Sequence, residues 1–407
     1  MSRSAAHEGD STPILIAIKE ATPAALCGLI GALSAFTVPI VGLLPVGELI
    51  LILVFPLVIF QLLSNRGWPT RMQQLSWYKL MLTFVGVMLL GYVISDLYRG
   101  TSSENLVRGW ARVGFLGIDL VTIAYLINGS WMRLRVFIFA LYFANSLNGM
   151  ISNPIDDRWW EFGVGPSVTA LALFLCAGRA MLIQVSLALV LAVVAMSLGA
   201  RSLGGICMLT AVLLMLNRAR GVMRPIALIA AAGALAALLF AANAAILSNL
   251  EKTNSNVERR SMIETAADAF LESPIIGQGS WFTATNMISK LEEHRARLDP
   301  TFHGYTEDEA RQISIHSQIL VALAEGGILG GSFFIFYGAL IFKTLRTLTR
   351  YSLPRRAFTL YFVINALWNL CMSPFSGIAR TEIVLAICAC LLVILQRQGE
   401  LSDDYRE

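Results

Sequence analysis

Long apolar runs recur along almost the whole chain, and they limit the possible folds more than any other feature. Runs of about 18 apolar residues are long enough for a helix to cross the hydrocarbon core of a bilayer. Only 14% of the 407 residues are charged, against about 25% in soluble proteins. The ten-residue alternation of membrane β-strands is not seen. The pattern excludes a water-soluble enzyme and predicts an all-α polytopic membrane protein.

The apolar runs predict about twelve transmembrane helices. The predicted spans are 22–38, 41–63, 80–97, 110–128, 136–152, 163–178, 181–199, 203–217, 225–247, 318–342, 357–374 and 378–396. The stretch 12–20 contains Lys19 and Glu20 and is predicted to be an interfacial helix.

The spans divide the chain into five parts. These are a cytoplasmic tail with the interfacial helix (1–21), nine spans (22–247), one helical loop of about 70 residues (248–317), three spans (318–396) and a second tail (397–407). Alternate connections carry fourteen Lys and Arg and no Asp or Glu. By the positive-inside rule these connections are cytoplasmic, so both termini are predicted inside and the long loop outside.

The long loop is predicted to contain helices of its own. Apolar residues recur at helical spacing from Arg259 to Glu272, and Ser273-Pro274 ends the run. A second helix is predicted over about 285–297. Thr306 begins a capping-box pattern, which predicts a helix running through His316 into the next span.

Three arginines lie at predicted helix ends on the outer side. Arg201 follows the span 181–199 among small residues, which leaves room for a bulky anionic group. Arg259 and Arg260 begin the amphipathic helix, and free N–H groups at a helix start favour phosphate. The competing interpretation is that each arginine lays its stem along apolar surface and its charge among lipid headgroups.

His316 differs from the other three histidines because it precedes an apolar run at the outer mouth of the tenth span. An imidazole there can accept a proton near neutral pH. The alternative is an interfacial histidine hydrogen-bonded to a loop carbonyl. Glu325 lies inside the tenth span, where a buried acid needs a partner, and an interhelical hydrogen bond is the favoured interpretation. The Gly326-Gly327 pair is interpreted as a close helix contact.

Several classes of site are not indicated by the sequence. It has no P-loop, dinucleotide fingerprint or metal-ligand cluster, so neither a metal nor a cofactor is predicted. The six cysteines lie in apolar runs and predict no disulfide and no zinc site. The net charge of +4 reflects the basic inner loops, so nucleic acid is not a predicted partner.

Four sequence blocks, in order along the chain, resemble those of the O-antigen ligase and polymerase family. The longest block runs from Arg259 to Gly279 and includes Ser273-Pro274 and the Gly-Gln-Gly turn. The other three are His316-Ser-Gln-Ile-Leu with Glu325-Gly-Gly, Arg201-Ser202 with Gly204-Gly205, and Gly165-Pro166-Ser167. Order and spacing agree over most of residues 80–396.

The resemblance implies an inverting, metal-independent glycosyltransferase. It implies that Arg201 and Arg259 bind the pyrophosphate of a polyprenyl-linked donor and that His316 deprotonates the acceptor hydroxyl. Arg260 is a reserve candidate, because two adjacent arginines leave the register open by one residue. The candidates for supporting roles are Glu325, Arg158 and Arg108.

The resemblance also implies the partners and the location. The partners are an undecaprenyl-pyrophosphate-linked oligosaccharide, a glycan or lipid A core acceptor, membrane lipids and a chain-length regulator protein. The first interpretation is a polymerase of the bacterial inner membrane, with its site facing the periplasm, that joins repeat units into O-antigen, capsule or exopolysaccharide. A ligase that moves glycan onto lipid A core would use the same residues. A lipid-linked glycan flippase is disfavoured, because no internal repeat is visible.

Overall fold

Helices make up nearly all of the regular structure in the computed structural model. The structure describes residues 13–39, 43–64, 71–152, 160, 164–176, 178–218, 250–281, 284–306, 313, 315–351 and 356–398. In chain order the elements are α1 (Pro13–Leu33), β1 (Thr37–Pro39), β2 (Leu43–Pro45), α2 (Val46–Leu63), α3 (Arg71–Gln74), α4 (Ser76–Arg99), α5 (Ser103–Ile127), α6 (Trp131–Ser152), α7 (Gly165–Leu175), α8 (Met181–Ser197), α9 (Arg201–Arg218), α10 (Leu250–Glu272), α11 (Ala284–Leu298), α12 (Gln318–Arg350), α13 (Arg356–Met372) and α14 (Gly377–Gln398).

Six of the described helices are long and apolar enough to cross a membrane, namely α2, α4, α5, α6, α12 and α14. Four shorter apolar helices accompany them, at Thr22–Leu33, Gly165–Leu175, Met181–Ser197 and Arg201–Leu216. The prediction of an all-α membrane protein is confirmed. The number of twelve spans is not, and the predicted ninth span, 225–247, lies outside the described residues.

The first part of the chain differs from the prediction. A single helix, α1, replaces the predicted interfacial helix and separate first span, and it ends at Leu33 instead of residue 38. The chain then forms a two-stranded antiparallel hairpin, with Val38 opposite Leu44. Pro39 and Pro45 end the two strands, and proline lacks the N–H group that a continuing helix or strand would donate.

The helices pack around α14. Within its membrane-length window 89% of the residues are buried, more than in the other candidate spans of the described chain. Helix α12 lies antiparallel along α4, and the stacked rings of Phe84 and Phe336, 3.8 Å apart, mark that contact. Helix α5 packs against α2, α4 and α14. The end of the bundle where α4 ends and α5, α12 and α14 begin therefore brings four helix termini together.

Helix α12 bends sharply at Gly327, and the predicted single span 318–342 is in fact two helical sections. Gly327 has φ 62° and ψ −157°, a conformation that only glycine adopts readily. Residues 318–326 fold back across the second section, since a Cβ built on Gly330 would lie 2.5 Å from the Ala322 carbonyl oxygen. In a straight helix, residues eight apart are separated by about 12 Å along the axis. The second section, 328–350, rises about 34 Å and is long enough to cross a bilayer alone.

The predicted helices of the long loop are largely present. Helix α10 includes the predicted stretch and begins earlier, at Leu250, while α11 agrees with the predicted second helix. The predicted helix through His316 is wrong, because residues 315–317 are not helical and α12 begins only at Gln318. The Ser317 hydroxyl caps α12 by accepting from the Leu320 amide at 3.3 Å, which ends any helix before it. Residues 307–312 of that prediction lie outside the described chain.

A small apolar core holds α10 and α11 on the first section of α12. Met262 and Ala266 of α10 and Leu291 of α11 are buried against Val321 and Ala324. This contact places the helix that carries Arg259 beside the segment that carries His316.

Candidate functional site

His316 lies half-buried just before α12, beside charged groups of α10. Burial lowers the pKa of His316, the nearby Arg259 guanidinium lowers it further, and Glu258 opposes the effect. The lowered pKa favours the neutral imidazole, whose free nitrogen can accept a proton.

Arg259 and Arg260, which the sequence could not tell apart, have different environments. Arg260 is 67% exposed, and its Nε donates to Glu264 Oε1 at 2.8 Å. The hydrogen bond from Arg260 is the largest of the effects that lower the pKa of Glu264, so this is a satisfied surface ion pair. Arg259 is half-buried and, among the described residues, forms neither a hydrogen bond nor an ion pair through its side chain. Its guanidinium is available to an external anion.

Arg201 is the first residue of α9 and is half-buried. It follows Gly199, whose φ of 86° turns the chain out of α8. Within the described part of the chain its side chain has no hydrogen-bond or ion-pair partner, and it shares no such bond with His316 or Arg259. The structure thus places Arg259 near His316, and within the described residues Arg201 is a second guanidinium without a partner.

The three candidates for supporting roles have different outcomes. Arg108 of α5 forms an exposed ion pair with Glu104. Arg158 lies outside the described residues. Glu325 is 3% exposed, and its prediction as an interhelical hydrogen-bond partner is confirmed, because the Tyr92 hydroxyl of α4 donates to its Oε2 at 2.7 Å.

Glu325 is also half of a buried ion pair. Arg112 of α5 donates through Nη2 to Glu325 Oε2, and the Trp281 amide donates to Oε1 at 3.0 Å. Both carboxylate oxygens are therefore satisfied. The backbone oxygen of Glu325 accepts from the Ser95 hydroxyl at 2.7 Å and from the Gly279 amide at 3.0 Å.

The turn that follows α10, residues 273–281, docks onto the bend in α12. The Gln278 amide donates to the Ala324 carbonyl at 2.8 Å, and the Ile328 amide donates to the Pro274 carbonyl at the same distance. A Cβ on Gly277 would lie 2.5 Å from the Gly327 nitrogen, so the two backbones approach as closely as two glycines allow. The backbone amide and carbonyl groups freed by the bend thus find partners in the turn.

The end of α4 holds the other side of this turn. Asp96 accepts from the Ser280 amide at 2.5 Å, from the Ser280 hydroxyl at 2.8 Å and from Trp110 Nε1 at 2.8 Å. Arg99 Nε donates to the Gly277 carbonyl at 3.0 Å. The turn is therefore fixed between α4 and α12.

The sequence analysis missed Arg112, Tyr92 and Asp96. For Arg112 a signal was present, because it falls inside the predicted span 110–128 and a charge within a span requires a partner. Glu325 lies inside another predicted span near the same side. Pairing the two would have been a sound inference.

A second buried charge cluster lies on α2, α5 and α14. Arg380 makes a two-pronged ion pair with Glu48, with hydrogen bonds of 2.7 and 2.6 Å, and Asp119 is fully buried beside it. This pair stabilises helix contacts away from His316. Among the described residues, no three or more His, Cys, Asp or Glu side chains are grouped so as to hold a metal ion.

The arrangement around His316 combines a proton acceptor with a site for negative charge. A neutral imidazole can deprotonate a hydroxyl nucleophile, and unpaired guanidiniums can stabilise an anionic leaving group.

Residues 167–335 match the family model described as O-antigen ligase. The matched segment contains Arg201, Arg259, His316 and Glu325, which confirms the resemblance found in the sequence. No curated protein matches the chain.

Proposed function

Since the chain is related to the O-antigen ligase and polymerase family through residues 167–335, we propose that it is a membrane glycosyltransferase that uses a polyprenyl-pyrophosphate-linked oligosaccharide as donor. The observation that supports this most is the proximity of His316 to Arg259, whose guanidinium has no partner within the described chain. One side chain supplies the base, and the other supplies a site for pyrophosphate.

The reaction is a displacement at the anomeric carbon. His316 takes the proton of the acceptor hydroxyl while its oxygen attacks that carbon, and the bond from carbon to pyrophosphate oxygen breaks. The electron pair leaves with the pyrophosphate, where Arg259 and Arg201 stabilise the added charge through forked hydrogen bonds. Attack from the face opposite the leaving group inverts the anomeric carbon. The imidazolium then returns its proton to water.

The acceptor decides which of two activities the chain has. In the first proposal it is a polymerase, whose acceptor is a hydroxyl of another lipid-linked repeat unit, and a chain-length regulator is then a candidate partner. A ligase that transfers glycan to lipid A core is the second proposal, favoured by the description of the matched family model. Both place the site on the periplasmic side of the inner membrane, in a bundle of about twelve spans.

The test uses purified protein in nanodiscs with an undecaprenyl-pyrophosphate oligosaccharide, and the products are separated on a gel. Wild type and the loop variant His303→Ala are expected to build a ladder of glycans, whereas His316→Ala and Arg259→Ala make none. A single product that requires lipid A core would identify a ligase. Activity is expected to survive EDTA, because guanidiniums balance the leaving-group charge. Near-normal product from His316→Ala would contradict the proposed base.

A further inference from the structure

The buried Arg112–Glu325 ion pair joins the two chain segments that carry Arg259 and His316. We propose that Arg112 is a positioning residue of the site, which holds His316 in place relative to Arg259 through Glu325. This inference rests on the function proposed above. Arg112 lies outside the segment matched by the family model, and the sequence predicted no role for it.

Arg112 is enclosed by protein. It is 7% exposed, and its guanidinium carbon lies 4.6 Å from the ring centroid of Trp281, 5.1 Å from that of Phe375 and 5.6 Å from that of Tyr92. Nη2 also donates to the Tyr92 hydroxyl at 3.2 Å. The charge of Arg112 is balanced by Glu325, and its faces are covered by aromatic rings. Arg112 therefore does not serve as a third guanidinium for the donor.

The ion pair lies at the junction of two stiff segments. On one side, Trp281 ends the turn that follows α10, the helix that carries Arg259. On the other side, Glu325 lies at the end of the short helical section that begins two residues after His316. Trp281 and Glu325 each belong to a segment that carries one of the two site residues, so a shift of either one is expected to change the position of Arg259 relative to His316. The backbone hydrogen bonds between the 273–281 turn and α12, and the apolar cluster that includes Met262 and Val321, also connect the two segments.

Loss of Arg112 alone would disturb this junction more than loss of an apolar side chain. Glu325 would remain as a buried carboxylate without a cation, which is strongly unfavourable in a low-dielectric interior. Movement toward water would lower the free energy of the Glu325 carboxylate. Such a movement would displace the end of the short helical section and the Trp281 amide that is hydrogen-bonded to the carboxylate. A lysine at position 112 keeps the charge but not the planar fork, so it restores the junction only in part.

The first measurement reports on His316 without any substrate. Of the two protonation states of histidine, diethyl pyrocarbonate acylates the neutral one, so its rate with His316, followed against pH by mass spectrometry in nanodiscs, gives the apparent pKa. We expect Arg112→Met to raise that pKa toward the ordinary histidine value, because burial and the nearby Arg259 are what lower it. Arg112→Lys is expected to give an intermediate value.

Two controls separate repositioning from unfolding. Glu104→Gln breaks the exposed ion pair with Arg108 on the same helix and is expected to leave the His316 profile unchanged. The second control is His294 of α11, whose Nε2 lies 2.9 Å from Asp268 Oδ2 of α10, and its modification is measured in the same samples. Its profile is expected to stay the same in Arg112→Met, whereas unfolding of the outer helices would change both histidines.

The second measurement is transfer from an undecaprenyl-pyrophosphate oligosaccharide. Arg112→Met is expected to lower kcat by about 100-fold, the cost of a misplacement of about 1 Å, with the KM for donor within about threefold of wild type. An unchanged His316 profile in Arg112→Met would overturn the proposal. So would a raised donor KM with unchanged kcat, since that result would make Arg112 a donor ligand. If His316→Ala proves active the proposed function fails, and the modification profile still tests the positioning.

Discussion

At the residue scale, the difference between two adjacent arginines carries most of the proposed chemistry. Arg260 is paired with Glu264 and largely exposed, while Arg259 lies beside His316 and forms no ion pair with any residue that the structure describes. We expect Arg259→Ala to lower transfer at least about 100-fold, the usual cost of removing one donor to a developing charge. Arg260→Ala, the matched control, is expected to stay within about threefold of wild type, because exposed ion pairs contribute little. Initial rates in nanodiscs measure both, and equal losses would contradict the assignment.

The pH dependence of transfer follows from the groups around His316. The base must be neutral to accept a proton, and its folded pKa lies below the ordinary value of 6.5, mainly because of burial and then because of Arg259. The rate is therefore expected to be flat near neutral pH and to fall as pH decreases through a midpoint below 6.5.

Substitution of Glu258 tests the direction in which the acid midpoint of the rate shifts. Its carboxylate raises the pKa of His316, so Glu258→Gln is expected to move the acid midpoint of kcat/KM to still lower pH. A midpoint that moves upward in Glu258→Gln would show that another group controls the acid limb.

Single residues were predictable from the sequence where the signal was local. Arg259 was predicted at the start of an amphipathic helix and His316 just before the apolar run of the tenth span, and both signals are local in the sequence. No local sequence signal reveals the pairing of Arg112, because its partner Glu325 is 213 residues away along the chain. The same holds for Glu48 and Arg380, which are 332 residues apart.

At the scale of the helix, the bend at Gly327 is what brings the 273–281 turn and the His316 segment together. Alanine there would have to adopt a φ of 62°, and its Cβ would lie 2.5 Å from the Ile275 carbonyl carbon. We expect Gly327→Ala to lower the free energy of unfolding by about 1–3 kcal/mol, the usual cost of such a backbone conformation, and to abolish glycan transfer. Thermal unfolding followed by tryptophan fluorescence measures the first effect.

Gly338 provides the matched control on the same helix. A Cβ there would meet Leu370 Cδ2 at 3.4 Å, an ordinary contact, and the backbone is helical. Gly338→Ala is therefore expected to be neutral or to stabilise by about 0.5–1 kcal/mol. Equal destabilisation by both variants would mean that the bend is not a special position.

The bend could not be predicted from its own residues. Gly204-Gly205 is the same dipeptide and lies inside α9 without interrupting it. The difference arises from the 273–281 turn, whose Pro274 carbonyl accepts the Ile328 amide that the bend exposes. The end of α10 at Glu272, by contrast, follows from the Ser273-Pro274 stop, which is local, whereas its start at Leu250 lies earlier than the apolar spacing predicted.

At the scale of the whole molecule, the proposed mechanism requires the long loop and the basic connections on opposite sides of the membrane. We expect a cysteine placed by His303→Cys, in the exposed loop after α11, to react with an impermeant maleimide in intact cells. Arg350→Cys, at the far end of α12, is expected to react only after the membrane is permeabilised. Both are made in a Cys371→Ser background, because Cys371 is exposed. The reverse pattern would place the site on the cytoplasmic side.

Hydrophobicity predicted the class of the whole molecule, and the described helices do not confirm the predicted count of twelve spans. Among the described helices, six meet the length and hydropathy of a span, while α8 and α9 are shorter apolar helices joined by a tight turn at Gly199. Apolar runs report burial in lipid or protein alike, so they do not distinguish a full span from a shorter helix packed inside the bundle. The short section of α12 is such a case.

The ion pair between Arg112 and Glu325 also bears on modularity. Glu325 lies within the segment 167–335 that carries the family resemblance, and Arg112 lies 55 residues before that segment begins. A chimera in which residues 167–335 replace the matching segment of a relative would therefore contain Glu325 without Arg112, the cation that neutralises it here. The segment matched by the family model is therefore not expected to be exchangeable on its own. A stable chimera needs either a boundary upstream of α5 or a relative that already has an arginine at the position equivalent to Arg112.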